Sequence, residues 1–268
     1  MLAIALSLLT VAGAAEPMLE ASLGGSIFSA GAALRVAPGM KWALWNQPDN
    51  VLFADTFLKA EVGVDLTPVY VRAVPKITFS PIAVMEMSVH YAGSAYFGTF
   101  NGMVPFDSPD AQFSEAFFDT VQPIPGSSHR VGGNTTLQAQ VGPIILVVWG
   151  DAERWVAEPF EGREGCCFFE PERELLFGWE ETFLGTGDVL LYEVAFDKEK
   201  GHLLRIGNMT NYQTALSTGD ELLRTGLLAA YSPNRHWTAA VIVQPYLISR
   251  QWPEPFPPYI AAQVRWVR

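Results

Sequence analysis

Few side chains in this sequence have the types and spacing that catalysis requires. A hydrolase needs a nucleophilic Ser, Thr or Cys that a base activates. The histidines are His90, His129, His202 and His236. His90 follows Ser88 and His129 follows Ser127, but residues two apart in a strand merely share a face. The Gly-x-Ser-x-Gly motif of a nucleophile elbow does not occur, so we predict no catalytic residues.

An acidic segment is a second candidate site. Its carboxylates are Asp151, Glu153, Glu158, Glu161, Glu164, Glu170, Glu172 and Glu174. Oxygen-rich loops can hold calcium, but EF-hand spacing is absent. We expect a solvated acidic loop and predict no metal or other cofactor.

The only two cysteines are adjacent, at Cys166 and Cys167. Two cysteines cannot build a disulfide framework or a zinc site. The sequence leaves open whether they form a vicinal disulfide or remain free thiols.

The composition indicates a folded chain that does not bind nucleic acid. Of 268 residues, 49% are apolar, and 28 Asp and Glu against 17 Lys and Arg give a net charge of -11. Such a chain is not disordered, and a phosphate-binding protein needs a surplus of cations. We find no internal repeat and no linker.

The first residues have the pattern of an export signal. Residues 2–12 are an uncharged apolar run, and small residues at Gly13, Ala14 and Ala15 follow it. We predict a signal peptide over residues 1–15 and one β-domain over residues 16–268. A buried N-terminal strand or helix is the alternative. No other run reaches the roughly 18 apolar residues of a membrane-spanning helix.

A two-residue period dominates the remaining sequence and predicts antiparallel β-structure. Between Phe57 and Leu66 the even positions are apolar, whereas the odd positions carry Lys59, Glu61 and Asp65. Similar alternation occurs over residues 82–92, 134–141 and 259–268. Segments with weaker alternation are 19–37, 51–56, 69–79, 144–156, 189–196, 203–212, 222–231 and 237–248. We predict about 10–12 strands in all. In the connection 101–133, Ser108 and Pro109 could begin one short helix.

Alternation alone fits either a soluble sandwich or a membrane barrel. The charged fraction of 17% favours a barrel, because soluble proteins average about 25%. Several aromatic residues near predicted strand ends could form interfacial girdles. They are Tyr91, Tyr96, Phe97, Trp149, Trp155, Trp237, Tyr246, Trp252 and Trp266.

With these features the chain resembles bacterial outer-membrane β-barrel proteins. The resemblance covers the export signal, the amphipathic strands with turns such as Thr67-Pro68, and the terminal strand. The stretch from Tyr96 to Phe100 is similar to a feature of uncharacterised Gram-negative barrels. The resemblance implies an all-β, antiparallel up-and-down transmembrane barrel in the outer membrane. It also implies outer-membrane lipid and the barrel-assembly machinery as partners, and it implies no known activity.

Three features depart from that family pattern. The chain ends Trp266-Val267-Arg268, whereas such barrels usually end in Phe or Trp. Pro75 and Pro245 fall inside predicted strands and should mark bulges or strand ends above the lipid. With twelve strands and periplasmic termini, we expect both long connections on the periplasmic side, opposite to the usual position of long loops.

If the apolar face meets lipid, the opposite face lines a lumen. The predicted lining residues are Lys59, Glu61, Asp65, Arg72, Lys76, Glu86, His90, Gln138, Gln140, Gln263 and Arg265, with Glu193, Arg205, Arg224 and Gln244 less clearly placed. A barrel of this size is narrow, so the mixed charges fit a plugging salt-bridge network or a narrow pore.

We therefore predict a narrow pore, a small-ligand carrier or a structural barrel without catalytic activity, with a small solute as the expected ligand. The alternatives are an outer-membrane lipid hydrolase of the phospholipase type and an exported soluble β-barrel that binds an apolar ligand.

Overall fold

The computed structural model describes residues 15–26, 31–45, 47, 49–50, 52–111, 118, 121–162, 165–197, 199–249 and 258–268. Residues 1–14 of the predicted signal peptide and residues 112–117 of the predicted short helix lie outside these ranges. Within them, no helix is long and apolar enough to cross a membrane.

The described residues form sixteen strands in two sheets. They are β1 (Ala15–Ser26), β2 (Ala32–Ala43), β3 (Phe57–Leu66), β4 (Tyr70–Ile82), β5 (Met85–Phe97), β6 (Val104–Phe106), β7 (Pro125–Val141), β8 (Ile144–Pro159), β9 (Cys167–Glu170), β10 (Leu175–Gly178), β11 (Glu180–Asp197), β12 (His202–Ala215), β13 (Asp220–Ser232), β14 (Trp237–Gln244), β15 (Tyr246–Ser249) and β16 (Tyr259–Val267).

The large sheet closes on itself as a barrel of twelve antiparallel strands, with β14 and β15 counted as one strand that Pro245 interrupts. Pairing of β12 with β13 and of β1 with β16 completes the ring. Leu19 and Arg268 exchange two backbone hydrogen bonds of 3.1 and 3.0 Å. The ring therefore has no free edge, which a strand structure in lipid requires. The predicted fold class is confirmed.

The alternation seen in the sequence separates the two faces of the wall. On β3, Val62, Val64 and Leu66 are about half exposed on the outside, whereas Glu61 and Asp65 are 7% and 5% exposed inside. Strand after strand repeats this arrangement. A soluble barrel that binds an apolar ligand would have a polar outer face and an apolar interior. This barrel has the opposite arrangement, so the soluble alternative is wrong.

Two predicted strand boundaries are wrong. Segment 19–37 is not one strand but a hairpin of β1 and β2, with Gly31 at a φ of +72° between them. Residues 52–55 form turns rather than a strand, so one strand is gained and one is lost. Both long connections follow upward strands, β5 and β8, and lie at the rim opposite the chain end at Arg268. Their expected position on the side of the chain termini is therefore wrong.

Pro245 separates β14 from β15, as a strand end should. Pro75, in contrast, lies within β4 on the apolar outer face, so the expected position above the lipid is wrong for it. Its ring interrupts the ladder to β5, where pairing stops at Ala73 and resumes at Lys76. The ladder to β3 continues, since Val62 still pairs with Pro75.

Only part of the expected aromatic set faces outward. Trp237 and Trp266 pair across β14 and β16 near the turns beside the chain end. Tyr96 and Trp155 are instead buried inside the barrel, at 3% and 1% exposure. Trp252 lies outside the described residues.

The two long connections contribute a second sheet of three strands in the order β10-β9-β6, which we call the plug sheet. Its Phe168, Leu175 and Phe177 are fully buried and pack in one cluster with Tyr96 and Trp155 of the wall. The same cluster includes inward residues of β4, β11, β12 and β13. Because the plug sheet contacts wall strands around the ring, it lies inside the barrel at the rim of the long connections.

The first prediction concerns sidedness. Barrels of this kind have short periplasmic turns and longer extracellular loops, so the plug rim should face outward. We expect an impermeant maleimide to label Glu161→Cys on intact cells but not Arg235→Cys, both in a Cys166→Ser/Cys167→Ser background. Labelling of Arg235→Cys but not of Glu161→Cys would show that the plug rim faces the periplasm instead.

Candidate functional site: the plugged lumen

The turn between β9 and β10, residues 171–174, is the tip of the plug sheet and points down the lumen. The Glu170 carboxylate organises it by accepting the backbone N–H groups of Glu172 and Arg173 at 2.5 and 3.1 Å. The N–H of Glu174 donates to the Glu170 carbonyl at 2.8 Å, and Glu174 has a φ of +56°. The three charged side chains therefore diverge towards different parts of the wall.

Glu172 lies between two wall arginines. Arg72 on β4 and Arg130 on β7 both contact its Oε2, Arg130 at 3.3 Å. Arg72 also donates to Asp65 of β3 at 2.7 and 2.9 Å. The tip is thus joined directly to β4 and β7 and, through Arg72, to β3.

Arg173 reaches the next part of the wall. Its Nη2 donates to Glu153 of β8 at 2.8 Å, and its guanidinium lies 4.3 Å from the centroid of the Phe183 ring. The indole N–H of Trp155 donates to the same carboxylate at 2.7 Å. His90 Nε2 lies 3.2 Å from Glu153 Oε1. Gly132 stands between His90 and Glu153 in the register, and a Cβ there would meet Glu153 at 2.6 Å.

Glu174 contacts the far side of the ring. Arg224 of β13 donates to it at 2.7 Å and the Tyr246 hydroxyl at 3.0 Å. The Arg224 guanidinium also lies 4.0 Å from the centroid of the Tyr259 ring. Paired buried charges of this kind hold a segment in one place, since a lone buried charge is costly.

The charges of the tip shift the pKa values of its carboxyl groups. Burial raises the pKa of Glu172, but the Arg130, Arg72 and Arg173 guanidinium groups outweigh it and hold that pKa well below the usual range. Burial, followed by repulsion from Glu172, raises the pKa of Glu170. Glu172 is therefore the anion that the wall arginines bind.

The acidic segment is thus not a solvated loop. Glu170 and Glu174 are buried at 0% and 3% exposure, whereas Glu172 borders an open cavity and the flanking Glu158 and Glu161 face solvent. The sequence did contain a signal, because two short apolar runs, 167–169 and 175–177, bracket a charged turn with Pro171. Such a pattern is typical of a hairpin buried on both faces.

The structure brings several predicted lumen residues together. Glu61 forms ion pairs with Lys59 at 2.7 Å and with Arg35 at 3.7 Å, and Arg265 forms one with Glu20 at 2.7 Å. Gln140 donates to Glu193, which pairs with Arg205 at 2.9 Å. The remaining predicted residues lie outside these networks. Glu86 and Lys76 are half-buried. Gln138 donates to the Ala83 carbonyl and Gln244 to the Met209 carbonyl, while Gln263 lines the cavity described next.

A cavity of about 320 Å³ passes the plug tip on the side without ion pairs. Glu172 and Tyr70 border it on one side. The opposite wall, formed by β1, β14 and β16, presents small or uncharged residues, which are Gly24, Ala240, Ala261, Tyr259 and Gln263. The passage extends from the plug rim, near Gly31, to the middle of the lumen.

Histidines and thiols form no shared site among the described residues. His90 lies in the lumen, His129 Nδ1 lies 2.5 Å from the Tyr91 hydroxyl on the outer face, and His236 Nδ1 lies 2.9 Å from the Val267 carbonyl oxygen. Cys166 and Cys167 are thiols with sulfurs 2.9 Å apart at the start of β9. Within the part of the chain that the structure describes, no group of three or more His, Cys, Asp or Glu could hold a metal ion.

No protein-family model and no curated protein matches this sequence. Solved structures of other barrels are similar in fold at low identity. The KdgM porin is 8% identical with a TM-score of 0.44, over 93% of this chain and 98% of that one. The β domain of the Bordetella autotransporter BrkA is 8% identical with a TM-score of 0.47, over 95% and 99%. LpxR from Salmonella typhimurium is 8% identical with a TM-score of 0.43, over 93% and 99%.

The location follows from the fold itself. Lipid provides no hydrogen-bond partners, so only helices and closed barrels cross a membrane. This chain combines a closed antiparallel barrel with an apolar outer face and a polar interior. That combination is typical of the bacterial outer membrane. The chain is an outer-membrane β-barrel protein.

The second prediction tests the anchoring of the plug tip. Glu172→Ala leaves Arg72 and Arg130 without their shared carboxylate and should weaken the tip by about 2 kcal/mol. We expect amide hydrogen exchange in β9 and β10 to accelerate about 30-fold while the wall strands keep their protection. Glu180→Ala is the matched control, because the Arg154–Glu180 pair is exposed on the outer face and such pairs contribute little. Equal amide hydrogen-exchange rates in β9 and β10 of the two variants would contradict the anchoring role of Glu172.

The third prediction concerns pH. A lowered pKa means that Glu172 stabilises the plugged form above the usual Glu pKa of about 4.3, and that this stabilisation is lost only as the pH falls through the lowered value. Glu170 does not oppose this, since its raised pKa favours the folded form as the pH falls. Conductance in planar bilayers should therefore stay constant from about pH 7 to about pH 5 and rise only below about pH 4. A rise near pH 6 would be inconsistent with this ion pairing.

Proposed function

We propose that this protein is a narrow pore for small solutes, and that solutes pass the plug tip along the wall formed by β1, β14 and β16. The observation that carries the proposal is the 320 Å³ cavity between Glu172 and that wall. The anchoring contacts of the tip go to other strands, β4, β7, β8, β13 and the β15 segment. The tip therefore leaves one side of the lumen unfilled.

The small side chains of that wall support the proposal. Gly24, Ala240 and Ala261 face a charged tip across the lumen, whereas the opposite wall presents long side chains such as Arg72 and Arg130. A barrel of twelve strands is narrow, and here the plug sheet takes up much of its interior. Small residues along one wall keep a path open there.

The lumen below the tip is open to solvent. Gln138, Gln140, Gln263 and Arg265 face inward and are nevertheless exposed, so water reaches them from the rim beside the chain end. Cations and carboxylates alternate along this part, as in the Lys59–Glu61 and Arg265–Glu20 pairs. Such a lining favours polar solutes and does not strongly select one sign of charge.

The proposal gives the protein no catalytic role. A lipid hydrolase would need a nucleophile and base at the outer face, and the His129 contact there is with the Tyr91 hydroxyl. In this proposal the partners are outer-membrane lipid around the apolar face, a small polar solute in the lumen, and the assembly machinery during insertion.

The fourth prediction narrows the proposed path. Ala261→Trp puts a large ring into the cavity, and Val264→Trp puts the same ring on the outer face of the same strand, where Val264 is 44% exposed. We expect Ala261→Trp to reduce single-channel conductance at least about threefold, because a narrow pore is sensitive to its minimum cross-section. Val264→Trp should conduct like the wild type. Equal conductance of the two variants would exclude this route.

A further inference from the structure

The outer face of the barrel is apolar on one side but carries a polar patch on the other. We define the polar patch as Thr186 and Asp188 on β11, Asn208 and Thr210 on β12, and Thr225 on β13. Asp188, Thr210 and Thr225 form one row, since Asp188 pairs with Thr210 and Thr210 with Thr225. The inward residues beside them, Val189, Gln213 and Arg224, are buried, so the patch faces outward.

The patch lies at mid-strand rather than at a rim. Asp188 is eight residues from the start of β11 at Glu180 and nine from its end at Asp197. The outward neighbours Leu190 and Leu227 are 50% and 67% exposed, as lipid-facing residues are. These polar groups therefore stand within the apolar band.

The opposite side of the ring shows no such feature along β3. Strand β3 lies six positions from β12 in the ring of twelve. Its outward residues are Leu58, Ala60, Val62, Val64 and Leu66. The contrast shows that the polar patch is a local property of one face and not of the whole band.

The hydroxyls of the patch bond within the protein, as Thr186 does to the Trp149 carbonyl at 2.9 Å, but acyl chains offer the Asp188 carboxylate no donor. The Thr210 and Thr225 hydroxyls lie 3.1 Å apart, and the Thr225 hydroxyl lies 3.2 Å from Asn208 Oδ1. No described residue donates a hydrogen bond to the Asp188 carboxylate or forms an ion pair with it. Unsatisfied polar groups are costly in lipid, and charged groups on a lipid face destabilise a barrel.

We propose that the polar patch is the interface through which two copies of this barrel associate in the membrane. The patch offers hydroxyl and amide donors as well as carboxylate and carbonyl acceptors, so it is complementary to itself, as a twofold interface requires. A groove of about 530 Å³ beside it, lined by Gly150, Thr186, Tyr212 and Thr214, has room for side chains of the second copy. Small residues let backbones approach closely in lipid.

The experiment counts chains per particle for full-length protein in phospholipid vesicles, by single-molecule photobleaching of a dye at Glu161→Cys in the Cys166→Ser/Cys167→Ser background. Labelled protein with an unaltered polar patch should give mainly two bleaching steps. Asp188→Leu/Asn208→Leu makes the patch apolar and should give mainly one step, with dimer association weakened at least about tenfold. The control Val62→Leu/Val64→Leu, on β3, should remain at two steps. One step for the wild-type face, or two steps for the patch variant, overturns the proposal.

A second measurement tests the interface even if the Asp188→Leu/Asn208→Leu variant fails to insert into the membrane. In the Cys166→Ser/Cys167→Ser background, Thr210→Cys at the centre of the patch should form a disulfide-linked dimer in the membrane under mild oxidation, whereas Val64→Cys should not. Failure of Thr210→Cys to cross-link, or equal cross-linking of both variants, overturns the twofold interface. Both measurements are independent of conductance and so do not depend on the proposed pore.

Discussion

The absence of hydrogen-bond partners in lipid is the constraint on which the rest of this structure depends. Every backbone N–H and C=O within the membrane must pair inside the protein. The chain meets that demand by joining β1 to β16, down to the two bonds between Leu19 and Arg268. Closure fixes the alternation, because each strand must then present apolar residues to lipid. Most remaining polar residues of those strands face a lumen of limited width.

The plug sheet follows from that crowded interior. Twelve strands enclose more space than wall side chains alone fill, and the two long connections fold into it with their own apolar core. Below this core the tip carries Glu172, Arg173 and Glu174 to arginines and acids of the wall. Apolar packing therefore places the plug sheet, and ion pairs orient its tip. The wall of small residues at β1, β14 and β16 remains clear of it.

The wall could be predicted well from the sequence, whereas the plug left only a weak signal, the two short apolar runs 167–169 and 175–177 around a charged turn. The alternation over residues 57–66 is enough to assign Lys59, Glu61 and Asp65 to one face, because a two-residue period is a local property. β9 and β10 are buried on both faces and show no such period. The partners of Glu172 lie 100 and 42 residues away in the chain, so no local pattern indicates them. The hairpin at Gly31 was missed because residues 19–37 contain no Asn, Asp or Pro to mark a turn.

Sidedness depends on the parity of the strand count. Reading segment 19–37 as one strand removed a strand and reading 51–56 as a strand added one, so the two errors cancel and β5 still leads into the first long connection. The polar patch is a related case. Asp188 and Thr210 give no signal in the sequence and become informative only when closure assigns them to the outer face.

The most direct test of a conducting path past the plug tip is single-channel recording of the wild-type protein in planar bilayers. Its folding should first be established by a boiling-dependent shift in electrophoretic mobility. We expect discrete conductance steps much smaller than those of wide sixteen-stranded porins. A folded barrel that never raises the conductance above that of the bare bilayer would contradict the pore and leave a closed, plugged barrel in its place.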